Sequence, residues 1–328
     1  MIVRPIYESQ SVDDEIIKIT KEVSEAITRK LAKYRGVRGL FRLDPRLDYR
    51  LYYKVMLNTD VNMDGGRAVV KYAVMVNVMF DSEMKNDDVN GSCNRFPDVI
   101  KSTLRDELVQ KGPGLYELPD DIPVFDVRID LYHCVVKPES RFAMEVSLPE
   151  LEETLSHELM HVKSCFRELM EGRARGTDDL SSSLKSDEVE NRFDFIKYFL
   201  SPNEMKSYIT GIYSEIKKRT ELAKKSSPDQ NELKAMIKNA GTWKQFEKVR
   251  GYMNEYGAEK KDEWNTLASK FLEDADKAQL KKVTGVSTPD DLMKYLQKMS
   301  KSMERKLVKA AYKGYCDGMG NSDNTYNK

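Results

Sequence analysis

Apolar residues recur at every second position through much of the first half of the chain and at every third or fourth position from Leu148 onward. That change of period limits the fold more than any other feature, because the two spacings belong to strands and helices respectively. Leu51, Tyr53, Val55 and Leu57 alternate with more polar neighbours, and after Asp64-Gly65-Gly66 a second alternation runs Val70, Tyr72, Val74, Val76, Val78 and Phe80. Two such runs around a turn rich in Asp and Gly predict a β-hairpin. Beyond Pro123, Phe125, Val127, Ile129, Leu131, His133 and Val135 oppose Asp126, Arg128 and Asp130, which predicts a strand with one wet face.

Helical spacing occurs early in two places. Ile16, Ile19, Val23, Ile27 and Leu31 follow a capping box opened by Ser11 and Asp14, and a second helix is predicted from Phe96-Pro97-Asp98 to about Val109, where Lys111-Gly112-Pro113-Gly114 breaks it. From Leu148 to about Tyr315 every periodic segment reads as helix, and the polar tail 318–328 is expected to be disordered. The fold class expected is therefore α+β: a small mixed or antiparallel sheet packed on the first helix after it, followed by a mainly helical carboxy-terminal region.

Lys plus Arg and Asp plus Glu each number 54, so no global field draws the chain to nucleic acid or to an anionic membrane. No run of apolar residues approaches the length of a membrane span, and the first residues lack the apolar core of a signal peptide, which predicts a cytoplasmic protein. Cys93, Cys134, Cys165 and Cys316 show no C-x-x-C pairing, which fits reduced thiols and excludes a cysteine-cluster zinc site.

The chemistry concentrates in HELMH at 157–161. Ser147, Pro149 and Glu150 mark a helix start and Gly172 its end, so His157 and His161 sit mid-helix and one turn apart. Both imidazoles then point the same way, within reach of one Zn²⁺. Glu158 lies about 100° further round, beside the metal position and not on it. Leu151, Leu155, Val162, Phe166 and Leu169 form the expected buried stripe, and the histidines fall on the opposite side with Thr154, Ser164 and Glu168. The competing reading is a solvated polar face, but the chain has only three histidines to spend on it.

TLSHELMHVKSC resembles the active-site helix of the zincin metallopeptidases. The resemblance implies that His157 and His161 bind zinc and that Glu158 is the general base. Ser164 and Arg167 stand where the metzincin branch needs Gly and His; Gly176-Thr177-Asp178-Asp179 lacks the Tyr-Gly that an aspartate zincin would add. The glutamate-zincin branch remains, with Glu204 in Ser201-Pro202-Asn203-Glu204 as the preferred third ligand on a helix face shared with Tyr208 and Gly211. Glu190, with Asp194 one turn on, is the alternative, and Asp178 or Asp179 stays open. Ser201 and Glu204 also make a capping box, which would account for Glu204 without any metal. HExxH followed by a Tyr-rich helix ending in L-S-P-x-E is similar to metallopeptidases encoded by tailed bacteriophages, which would place the protein in a host cytoplasm or a virion.

The resemblance implies zinc-dependent peptide-bond hydrolysis on a polypeptide substrate, as an endopeptidase before an exopeptidase, with a metal-activated water and Glu158 as proton acceptor. Tyr208 and Tyr198 are candidates for stabilising the carbonyl oxygen, and His133 reads as a core histidine. Residues 1–222 would form the zincin-like domain, 223–316 a helical region able to bind a protein partner, and 317–328 the tail. The alternative function is a non-catalytic zincin-like structural or assembly protein in which zinc staples the fold.

Overall fold

The computed structural model describes residues 12–32, 41–42, 50–63, 66–81, 89–95, 101–119, 124–132, 143–144, 148–171, 192–224, 229–274 and 284–320. Helix α1 spans Asp14–Ala32 and buries Ile16, Ile19, Val23 and Ile27 at the predicted spacing. Its cap is Asp13, whose Oδ1 accepts from Ile16 N–H at 3.1 Å; Ser11 lies outside the described residues. After β1 (Phe41–Arg42), strands β2 (Arg50–Met63) and β3 (Gly66–Asp81) form the predicted hairpin, antiparallel from Arg50↔Met79 to Met63↔Gly66.

Strand β4 (Val89–Arg95) has no counterpart in the periodicity. The helix expected to run to Val109 is shorter: α2 covers Lys101–Asp106, and Val109 already belongs to β5 (Val109–Gly112). The glycines and proline that were to stop a helix instead turn a hairpin into β6 (Leu115–Glu117), where Gly114 takes φ +67° and its carbonyl accepts from Val69 N–H at 2.8 Å. Strand β7 (Phe125–Tyr132) then lies parallel to β3, and β8 (Ala143–Met144) pairs with β1. His133 and Val135 lie outside the described residues.

The larger sheet has six strands in the order β4-β7-β3-β6-β5, with β2 on the other side of β3. Parallel β3/β7 and β3/β6 ladders among antiparallel ones make it mixed. Strand β4 pairs with β7 alone among the described residues. On one face Leu57, Tyr72, Val74, Val76, Val127 and Ile129 are fully buried against α1 and α3 (Leu148–Glu171). Phe166 of α3 stacks on Tyr72 with centroids 3.7 Å apart, and burial of a side chain that size contributes about 1.5–3 kcal/mol. On the opposite face Arg128 is exposed, as the alternation in β7 predicts.

The chain divides into two compact units, residues 1–174 with 218–223, and residues 175–217 with 224–328. The first holds the sheet with α1 to α3. The second is helical: α4 (Arg192–Phe199), most of α5 (Pro202–Ala223), α6 (Gln230–Asn239), α7 (Gly241–Ala258), α8 (Lys261–Asp274) and α9 (Pro289–Gly318). Phe193, Phe199, Phe246, Tyr256 and Trp264 fill its core. Helix α7 has no side-chain cap at Ala240; the buried Glu215 of α5 supplies the acceptor, taking Gly241 N–H at 3.2 Å. The architecture is thus α+β, with a small mixed sheet on the HELMH helix and a mainly helical carboxy-terminal region. Residues 321–328 of the tail lie outside the described residues. No helix among the described residues is long and apolar enough to cross a membrane.

Candidate metal centre

Helix α3 sets the first two donors. Its buried stripe includes Leu151, Leu155, Leu159, Val162, Phe166 and Met170, while Leu169 is only half-buried. His157 and His161 lie off that stripe and are half-buried. Their rings meet edge to face at 73°, with centroids 4.6 Å apart, so that the two Nε2 atoms approach to 3.0 Å. Ring nitrogens at this distance share a proton or a common cation. Metal–nitrogen bonds of about 2.0–2.1 Å at tetrahedral angles put ligand atoms about 3.3 Å apart, so the pair already has nearly the spacing that one ion imposes.

Glu204 comes from the first turn of α5. Leu200-Ser201-Pro202 stops α4 and starts α5, and Ser201 Oγ accepts Glu204 N–H at 3.3 Å as the cap. The reciprocal half of a capping box would send Ser201 N–H to the Glu204 carboxylate; that N–H is already committed to the Tyr198 carbonyl at 3.1 Å. The Glu204 carboxylate is 6 % exposed. Ligand atoms of His157, His161 and Glu204 all lie within 4.8 Å of one another. Two imidazole nitrogens and one carboxylate oxygen fit a zinc set with one position left open. The group could therefore hold a metal ion.

Glu158 is 7 % exposed on the same helix. Its side chain rests against Gly91 of β4: a Cβ built on Gly91 would stand 2.6 Å from Glu158 Cγ and 2.9 Å from its Oε1. Six residues earlier, Glu152 is also buried, accepting from Ser24 Oγ at 2.6 Å and Lys218 Nζ at 3.0 Å. That polar network joins α1, α3 and the last turns of α5.

The remaining candidates separate clearly. Tyr208, one turn beyond Glu204, stacks on Phe199 at 4.2 Å and donates its hydroxyl to Gln245 Oε1 at 3.1 Å. Tyr198 is half-buried. Asp194 bonds Lys197 at 3.1 Å, and burial, partly offset by that partner, lowers the Lys197 pKa. Glu190, Asp178, Asp179 and Cys134 lie outside the described residues; Cys93, Cys165 and Cys316 form no disulfide among the described residues. Gly91 was missed at the level of sequence, since a glycine in Val89-Asn90-Gly91-Ser92-Cys93-Asn94-Arg95 carries no periodic signal. No protein-family model, no curated protein and no solved structure matches the chain, so the reading of this centre rests on its own residues.

Proposed function

We propose that the protein is a zinc-dependent peptidase of the zincin type, with His157, His161 and Glu204 as metal ligands and Glu158 as general base. The observation that carries the reading is the convergence of two imidazoles from one helix and a buried carboxylate, with a further buried glutamate next in sequence to the first histidine. A zinc ion held by these groups would supply Lewis-acid polarisation of a peptide carbonyl and acidification of a water molecule.

The rest falls to the chain. His157 and His161, one turn apart, fix the direction from which the ion is held. Glu158 accepts the proton of the attacking water and delivers it to the departing amine, a role commonly worth about 10²–10⁴ in rate. Its carboxylate is buried beside β4, away from bulk water. The substrate class is a polypeptide.

Replacing Glu158 with Gln tests this directly. The variant keeps the side chain's size but has no proton acceptor, so zinc content and melting temperature stay at wild-type values while casein hydrolysis falls by about 10² or more. Hydrolysis at the wild-type rate would refute Glu158 as the base. A second reading is favoured by the burial of both carboxylates: a structural or assembly protein in which the metal staples the fold. It predicts bound zinc with no hydrolysis by either form.

A further inference from the structure

We propose that Gly91 is a positioning residue for Glu158: the missing side chain at position 91 is what lets the Glu158 carboxylate occupy its place. This rests on the reading of Glu158 as general base. Gly91 stands opposite Ile129 in the β4/β7 ladder, and Ile129 is fully buried on the face that α3 covers. A side chain at position 91 would therefore project toward α3. In that space are Glu158 Cγ, Thr154 Cγ2 and Glu158 Oε1, at 2.6, 2.7 and 2.9 Å from an ideal Cβ. Carbon atoms do not approach that closely without displacement.

The backbone gives no other reason for glycine here. Among the described glycines only Gly66, Gly114, Gly285 and Gly320 take positive φ, so any residue could adopt the conformation of Gly91. Glycine weakens a strand interior, and its use there marks close approach of another group. The groups here are the side chains of Glu158 and Thr154.

A methyl at position 91 could be accommodated by lifting α3 off β4 or by turning the Glu158 side chain. Lifting is resisted on both sides. Strand β4 is held to β7 over its whole length, and α3 is locked to the sheet by Leu155, Val162 and the Phe166–Tyr72 stack. Thr154 is β-branched, so its side chain has fewer ways to move in a helix than that of Glu158. Glu158, with free χ angles, is the group that yields. His157 and His161 share its helix, so a turned Glu158 changes its place relative to them, whereas a lifted helix would carry all three together.

The experiment uses the full chain loaded with zinc, with Gly91→Ala, Glu158→Gln and the double variant compared with wild type. Acetohydroxamate is the binding probe, because a hydroxamic acid would bind the metal through its two oxygens and could donate a hydrogen bond to a carboxylate beside it. Gly91→Ala is expected to retain wild-type zinc stoichiometry, to weaken acetohydroxamate about 10-fold and to lower kcat on casein at least 10-fold with KM within about 2-fold. In the Glu158→Gln background the same substitution should change neither quantity further. Unchanged hydroxamate affinity in Gly91→Ala, or fully additive effects, overturns the proposal alone; refusal of zinc by the wild type overturns the metal centre and this inference with it. Should Gly91→Ala not fold, Gly91→Ala/Thr154→Ser/Glu158→Ala, which removes the contacting carbons of both side chains, is expected to fold. Failure of that variant as well would show that Glu158 is not what position 91 accommodates.

Discussion

Glu204→Gln separates the two roles open to Glu204, ligand and helix-start residue, because the amide keeps the size and loses the charge. Without metal the change is small. Ser201 still caps the Glu204 N–H, the lost charge forfeits a helix-dipole contribution of about 0.3–1 kcal/mol, and relief from burying a carboxylate that is 6 % exposed acts in the opposite sense. With metal the change is large. Free zinc at about 100 times its dissociation constant stabilises the wild type by about 2.7 kcal/mol. Residues that only support a metal ligand are worth about 10–100-fold in affinity, so loss of a ligand should exceed 100-fold and leave the variant no more than about 0.4 kcal/mol at the same zinc concentration. At roughly 2 °C per kcal/mol for a chain of this length, the zinc-dependent rise in Tm should be about 5 °C for wild type and about 1 °C for Glu204→Gln. Scanning calorimetry of chelator-stripped protein, with and without zinc, measures both. A variant that keeps the full rise would refute Glu204 as ligand, and Glu190→Gln, run alongside, is expected to keep it.

Glu152→Ala removes the acceptor of Ser24 and Lys218 and leaves a lysine whose side chain is 10 % exposed with only Glu221, at 3.8 Å, nearby; a loss of about 3 kcal/mol is expected in urea unfolding, mostly recovered by adding Lys218→Met, and a loss below about 1 kcal/mol would count against a buried pair. Asp317 is predicted to stabilise the fold near neutrality. Burial would raise its pKa, but Lys313 and Tyr213, at 2.8 and 2.6 Å, outweigh it and hold the carboxyl below its ordinary value. The unfolded state therefore binds the proton first, so the contribution is complete above about pH 4 and disappears as pH falls through the depressed value. Asp317→Asn should unfold at lower urea than wild type at pH 7 and at nearly the same urea at about pH 2; equal midpoints at pH 7 would contradict this.

Elements that bury one face along their length were legible before any coordinates. Helix α1, the β2–β3 hairpin, β7 and α3 each carry enough regularly spaced apolar residues for the period to show. Strand β4 was not legible, because Asn90, Gly91, Ser92 and Asn94 offer no alternation; it is a strand because β7 has an edge to pair with, which is a tertiary cause. The segment 96–109 failed at its end for a similar reason. Leu104 and Leu108 suit a helix, but Val109 and Gln110 find ladder partners in Glu117 and Tyr116, and pairing prevailed over local spacing. Caps were less legible: α1 is capped by Asp13, where Ser11 and Asp14 were expected to form the box, and Glu215 caps α7 from a different helix, a relation that no local pattern carries.

The candidate centre follows the same division. His157 and His161 could be paired from sequence because one turn of one helix fixes their relation. Glu204 could be nominated but not distinguished from a capping residue, since the same Ser-Pro-x-Glu pattern serves both; what separates them is that Ser201 N–H goes to Tyr198, a backbone choice at the α4–α5 corner. The residues of α3 opposite the apolar stripe, Thr154, His157, His161, Ser164 and Glu168, are polar and half-buried, whereas Glu152, Ser156 and Glu158, nearer the stripe, are buried. Polar side chains tolerate that position only with partners or with room made for them. For Glu152 the partners are Ser24 and Lys218. For Glu158 the room is the Cβ that Gly91 lacks, so the strand hardest to read from the sequence is the one that determines where the proposed base can stand.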